Sequence, residues 1–503
     1  MLLLLLLGCT REPQEIRPDL SGMIRNIPSA DGSPAGAIAR PKTDTAVKKF
    51  CGDCHALPRA TSFPKSRWDH EVRQGIRLYR ESRRDDLVIP DFDAAVAFFT
   101  RGAPDEYEFA GSREPLDGRF RAVAVPFDGE PVHAISNLHL DPSKPAAGDL
   151  ILADLWSGRI SRLDRSDAEH RLTTLTTVSN PAHVERIDFD LDGIDDLLVA
   201  DLGSLNPQDT REGSLWWLKG KPDGSYDRIT LRMGLSRTSD VAAIDFDKDG
   251  DLDLVVGDFG LHFEGAVYLV ENLGFVDGVP DLKWEVLDDR PGLVEVEIVD
   301  LDGDSRLDIV TLISQQYETI EAHLNQGDGT FRRQTVYQLG DPASGSSGME
   351  FSDLDGDGDL DVVLTNGDTF DDDLPKPFHR IHVLINNGTF PFAGKVVAEM
   401  PGVYCACVGD IDSDGDQDIA AVSLLTVEQI AQHDSGTFDS VIWLEQSSDG
   451  DFRRHTIERD RCDSATCRLF DWDGDGDLDL LTPRYNTTMD GITDFEVFEN
   501  TTL

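Results

Sequence analysis

The sequence predicts a mainly β chain, a seven-bladed β-propeller closed by an N-terminal strand and preceded by a small α-helical module. Three observations predict it. An acidic loop, Asp353-Leu-Asp355-Gly-Asp357-Gly358-Asp-Leu-Asp361, recurs five more times between residues 188 and 479. The ninth positions fall at Asp196, Asp253, Asp308, Asp361, Asp418 and Asp479, a period that suits one four-stranded blade per copy. A strand-like stretch, 119–125, precedes the first unit, and the last unit has no fourth strand after Phe495-Glu-Val-Phe498. The early strand can therefore complete the final blade and remove an open edge.

The other loops are Asp188-Asp190-Asp192-Asp196, Asp245-Asp247-Asp249-Asp253, Asp300-Asp302-Asp304-Asp308, Asp410-Asp412-Asp414-Asp418 and Asp471-Asp473-Asp475-Asp479. Carboxylates at positions 1, 3, 5 and 9 converge on one point if position 6 turns sharply, which favours glycine. That is the ligand logic of a hard cation taking six to eight oxygens, and calcium is the expected ion. Position 6 is glycine in five loops and Ser305 in the other, so the Asp300 loop is expected to be the least secure site. Short aliphatic runs such as 197–200, 254–256 and 362–364 follow the loops and read as buried strands, not as the helix of a calcium-binding hand. Asp and Gly are also ordinary turn formers, but six loops in one register argue for a shared ligand.

At 503 residues the chain exceeds one ordinary domain, and its formal net charge of −49 excludes nucleic acid or an anionic surface as the default partner. Without cations the clustered carboxylates repel one another. The first segment, residues 1–8, is Leu-rich and too short to span a bilayer. With Gly8 and Cys9 it resembles a bacterial lipoprotein signal, which implies lipidation of Cys9 and a membrane anchor in the cell envelope. Thr10 would favour the outer membrane. A basic leader is missing, so the true translation start is expected upstream. Residues 9–45 have scattered prolines and no sustained periodicity, as in a flexible tether.

Residues 46–104 open with Phe50-Cys51-Gly-Asp-Cys54-His55, the Cys-x-x-Cys-His signature of covalent haem c, in which two thiols hold the macrocycle and the imidazole is an axial ligand. A redox disulfide or a partial zinc site is the alternative. The segment is similar to a small cytochrome c, with helical periodicity at 68–84 and 92–99. No methionine lies between His55 and Met233. His70 is therefore the candidate sixth ligand, with His133 or a five-coordinate iron as alternatives. Ten Lys or Arg against six acids lie between Ala46 and Asp86, so the basic face of this module is expected to dock on the acidic propeller. Four further cysteines, Cys405, Cys407, Cys462 and Cys467, suggest disulfides in an oxidising compartment, with three possible connectivities, or else buried thiols.

From residue 117 to 503 each unit reads as strand, acidic loop, strand, loop, strand, Gly-rich turn and strand. These units resemble the FG-GAP/VCBS repeats of integrin α-like propellers, which implies the fold and calcium but little about a substrate. A degenerate first unit aligns His139-Leu-Asp141 and Asp149-Leu-Ile-Leu-Ala-Asp154 with the others, but 142–147 replace the acidic loop, so no calcium is expected there. Counting back from each loop, His183, Glu185, Glu297, Glu350 and Arg468 fall on one side of the innermost strands, along with Asp240, Glu295, Cys405 and Cys407. They form a possible channel-mouth site, or else serve inter-blade hydrogen bonding. No nucleophile elbow, zinc-protease helix or phosphate loop occurs. The resulting expectation is an envelope lipoprotein combining haem c with a calcium propeller for electron transfer coupled to a protein partner or substrate. A non-catalytic adhesion or glycan-binding scaffold and a haem-linked oxidoreductase acting at the channel mouth are the alternatives.

Overall fold

Each acidic loop ends the innermost strand of a sheet and starts its second strand, and every second strand is buried along its whole length. This is why those segments are unbroken aliphatic runs: a strand between two neighbours and two adjacent blades has no solvent face. The computed structural model describes residues 40–109, 111, 115–140, 149–165, 170–431, 437–485 and 491–501. Among these, seven four-stranded antiparallel sheets follow one another as blade 1 (135–177), blade 2 (181–235), blade 3 (238–288), blade 4 (293–338), blade 5 (346–399), blade 6 (403–459) and blade 7 (468–500). The outer strands of blades 1, 2 and 4 are largely exposed, with one buried residue in each, as a sheet edge facing water allows.

Blade 7 takes its fourth strand from the other end of the domain. Phe120–Pro126 pairs antiparallel with Asp494–Asn500, Phe120 opposite Asn500 and Pro126 opposite Asp494. Val125 packs with Phe127, Phe495 and Val497 in one apolar cluster, and Phe120 with Trp443 and Phe498 in another. Pro126 sits at the end of an edge strand, where its missing N–H leaves no ladder bond unmade.

Ahead of the propeller three short helices pack together: α1 (Arg40–Cys51), α2 (Trp68–Glu81) and α3 (Phe92–Thr100). The buried positions of α2, Trp68, Val72, Ile76 and Tyr79, lie on one helical face. Trp68 stacks on Phe99 with ring centroids 4.1 Å apart. Asp91 caps α3 by accepting the Ala94 N–H. No helix of the described residues is long and apolar enough to cross a membrane.

This helical unit rests on blades 4 and 5 at 339–345 and 367–379. These connections adjoin the start of an innermost strand, so the unit sits on the face opposite the acidic loops. Ala343 and Leu374 join the helical core, Ser62 Oγ donates to Asp341 Oδ2 at 2.5 Å, and Arg67 Nη2 donates to the Asp372 carbonyl at 2.9 Å. Arg59 lies 3.9 Å from Asp341. Arg73, Arg77 and Arg84 pair with acids of the helical unit itself, so of its basic residues Arg59 and Arg67 are the ones shown reaching the propeller. Burial, aided by the charge of Asp372, pushes the Glu71 carboxyl at this seam up to about 7. A raised acid stabilises the folded form below its unfolded value of 4.5, and that contribution is lost as pH rises through about 7. Stability is therefore expected to fall by up to about 3 kcal/mol over that window. Glu71→Gln should flatten this part of the pH profile in urea melts.

Candidate functional site

The six acidic loops share a turn at position 6, while the N–H groups that meet the first aspartate differ from loop to loop. The position-6 residues all adopt a left-handed backbone: Gly193, Gly250, Gly358, Gly415 and Gly476 at φ between 87° and 101°, and Ser305 at 67°. In the Asp188 loop, both first-position oxygens accept loop N–H groups, from Asp192 at 2.9 Å and Gly193 at 2.8 Å. The Asp300 loop repeats this with Asp304 and Ser305, so serine closes the turn despite its Cβ. Ser305→Gly should relieve that strain and stabilise the protein by about 1 kcal/mol, read from the urea midpoint.

Carboxylate oxygens of Asp188, Asp190 and Asp196 lie within 4.8 Å of one another, as do those of Asp245, Asp247 and Asp249, of Asp300, Asp302 and Asp304, of Asp353, Asp355 and Asp357, and of Asp410, Asp412 and Asp418. Such oxygen-only donor sets fit a hard cation. The fit is supported by Asp190 Oδ1 and Asp412 Oδ1, which are buried and have no hydrogen-bond partner among the described residues.

The ninth aspartate has a second task that sequence reasoning missed. In each loop it is essentially buried, and it accepts one N–H from loop position 2 and one from the third strand. Asp361, for example, takes Leu354 N at 3.0 Å and Asn386 N at 2.7 Å; Asp253 takes Phe246 N and Asn272 N; Asp479 takes Trp472 N and Asn500 N. It therefore holds loop, second strand and third strand together with or without an ion.

In four blades the third strand also sets a charged side chain near the loop, at the residue before this N–H donor. In blade 2 it is Lys219, whose ammonium pairs with Asp190 and lies 3.2 Å from Asp192 Oδ2. In blades 3, 6 and 7 it is Glu271, Glu445 or Glu499, whose charges raise the proton affinity of Asp247, Asp412 and Asp473 behind the larger effect of burial. The Asp188 loop thus carries an internal cation, while three others have an additional carboxylate nearby. In the Asp300 loop Arg306 pairs with Asp304.

Along the axis the expected polar residues do meet. His183 Nδ1 lies 3.2 Å from Asp240 Oδ1, and His183 Nε2 lies 3.8 Å from Glu185 Oε2. Burial pulls His183 down, but the charges of Asp240, Glu185 and Glu295 outweigh it and hold the imidazole up at about 9. Burial and the charges of Asp240 and Glu350 push Glu297 to about 7, while burial and Glu297 drive Glu295 well above the usual carboxylate range. Burial raises Glu350 against the charge of Arg468. Several of these groups join blades: Asn137 Oδ1 accepts Val184 N, Asp240 Oδ2 accepts Val296 N at 2.8 Å, and Glu295 Oε2 accepts Met349 N at 2.7 Å. The channel therefore combines inter-blade hydrogen bonding with carboxyls, Glu295 and Glu297 above all, that burial and neighbouring charge make readier to hold a proton. At the face bearing the helices, the 367–379 connection reaches towards it: Phe370 meets Tyr404 and Tyr485, and Asp371 accepts from Gln315.

At the end of α1, Cys51 is half-buried and Cys54 exposed, and the two are not joined. Burial pushes the Cys51 thiol up to about 11. Arg84 donates to Cys54 Sγ at 3.0 Å and to Asp53 at 2.6 Å. His55 Nδ1 lies 2.7 Å from the Ala56 carbonyl. Beside Cys51, Leu57, Leu87, Ile89, Phe92, Val96 and Phe98 remain only partly buried. His70 is exposed, two residues from buried Trp68 and so on the opposite face of α2. His133 belongs to the propeller, where its Nδ1 lies 3.7 Å from Asp154 Oδ2. Cys9, the 1–8 segment, most of the tether and the 142–147 insertion lie outside the described residues.

A family model described as FG-GAP-like repeat matches residues 173–256 and 291–364. No curated protein matches the chain. Among solved structures, a crystal structure of an ancestral GH74 enzyme is similar at 11% identity and a TM-score of 0.48, over 76% of this chain and 51% of that one. The chain thus spans about half the length of that enzyme. The chain carries FG-GAP-like repeats within a seven-bladed β-propeller.

Proposed function

We propose that the protein is an electron-transfer component of the bacterial cell envelope, in which a helical module carrying covalent haem c is held on a calcium-stiffened propeller that binds a partner. The observation that carries this reading is the arrangement at the end of α1. A hydrogen bond from His55 Nδ1–H to the Ala56 carbonyl fixes the tautomer and leaves Nε2 as the ligand nitrogen. Cys51 and Cys54 are unpaired beside a rim of partly buried apolar side chains that a macrocycle would cover. These residues fit haem c, which supplies one-electron transfer when bound. His55 and the two thiols would hold the group, and Arg84, which donates to Cys54 Sγ, would set a positive charge beside them. His70, exposed on the face of α2 opposite buried Trp68, is not among the residues that would hold the group.

The test is a reduced-minus-oxidised visible spectrum of protein made in cells with cytochrome c maturation. A c-type band lost in Cys51→Ala/Cys54→Ala, with the fold intact by circular dichroism, is the expected outcome. A matured protein without the band would end the redox reading and leave the propeller as a binding scaffold. The axial cluster of His183, Glu185, Glu297, Glu350 and Arg468 supports a second reading, in which the haem accepts electrons from a substrate held in the channel. That reading expects Glu297→Gln to slow substrate-dependent haem reduction without altering the haem band.

A further inference from the structure

We infer that Cys407 and Cys467 form a disulfide that joins blade 6 to blade 7, with Cys405 left as a thiol beside it. The four propeller cysteines do not form two pairs. Cys462 lies apart, its Sγ 3.6 Å from Ser440 Oγ and 3.8 Å from the Asp439 carbonyl. The other three form one group across the seam between the innermost strands of blades 6 and 7. Cys467 Sγ is 3.4 Å from Cys407 Sγ and 3.9 Å from Cys405 Sγ. Cys407 and Cys467 are both buried in the same apolar cluster, and Cys405 is only partly buried at its margin.

The register says why a bond is useful here. Asn137, Asp240 and Glu295 occupy the same position on the innermost strands of blades 1, 3 and 4, just after a register shift and opposite the next-to-last residue of the second strand. Each reaches the backbone N–H of the next blade, at Val184, Val296 and Met349. In blade 6 that position is Cys405, and in blade 7 the residue aligned with those N–H donors is Cys467. Cys405 carries no carboxylate or amide to accept such an N–H, so this seam lacks the side-chain-to-backbone bond of the other three, and the nearer thiol, Cys407, can link it instead. Blade 7 also has the shortest innermost strand, Arg468–Phe470, against six or seven residues in blades 1 to 6. A covalent link at this seam compensates for the missing ladder.

Formation follows thiol–disulfide exchange with a low-molecular-weight disulfide. The Cys407 and Cys467 thiols lose two protons and two electrons as one S–S bond forms, and the oxidant's S–S bond takes them up to give two thiols. Burial keeps the folded thiols from reacting readily, so the bond is made before blade 7 docks. The full-length protein, refolded with oxidised glutathione, is digested without reduction and mapped by mass spectrometry. The expected result is a peptide linking the Cys407 and Cys467 segments in the native chain and in Cys405→Ser, and its loss in Cys407→Ser. Dithiothreitol should lower the melting temperature of the native chain and of Cys405→Ser by several degrees but leave Cys407→Ser unchanged. No linked peptide in the native chain, or one that survives Cys407→Ser, overturns the assignment.

Discussion

Asp361→Ala is expected to destabilise the protein by about 3–5 kcal/mol, in calcium and in chelator alike, because two buried N–H groups lose their acceptor. Those groups belong to Leu354 and Asn386, at 3.0 and 2.7 Å, and Asp361 is fully buried. Asp355→Ala removes an exposed carboxylate of the same loop whose Oδ1 accepts only the Asp357 N–H. It should weaken stability with calcium present and have little effect in chelator. Urea melts of the two variants in both buffers separate the structural role of position 9 from the cation-binding role of positions 1, 3 and 5. If Asp361→Ala were harmless in chelator, the ninth aspartate would be a ligand only.

The second large effect is that of the cations together. An ion at about one hundred times its Kd stabilises by about 2.7 kcal/mol per site, and each empty loop leaves like charges within 4.8 Å of one another. Chelation should therefore lower the melting temperature by about 10 °C or more. The loops should not be equal. Lys219 already offsets one charge of the Asp188 loop, whereas Glu271, Glu445 and Glu499 add negative charge near three others. Lys219→Met is expected to add one ion to the calorimetric stoichiometry, and a titration with an unchanged count would show that the ammonium does not compete.

Most of the fold was legible because its signals are local. Asp at positions 1, 3, 5 and 9 with Gly at 6 specifies a turn within nine residues, and the aliphatic run after it specifies a buried strand. Even the meeting of His183 with Glu185 and of Glu295 with Glu297 follows from strand alternation. What escaped the sequence reading depends on register between strands. Lys219 and Glu271 reach their loops only because the third strand pairs with the second in a fixed phase, and the two N–H partners of each ninth aspartate come from the loop and a distant strand. An even cysteine count suggested pairs, but Cys462 and Cys467, five residues apart, enter different packing environments because one precedes the turn into blade 7 and the other follows it. On α2, periodicity alone could have placed His70 opposite Trp68, since two residues span more than half a helical turn.

The proposed function calls for iron in the helical module and calcium in the loops. Elemental analysis by inductively coupled plasma mass spectrometry, on matured protein dialysed against buffer free of added metal, tests both in one measurement. The expected composition is about one iron and about five or six calcium ions per chain. A protein that folds and melts cooperatively with no iron and no calcium would contradict it.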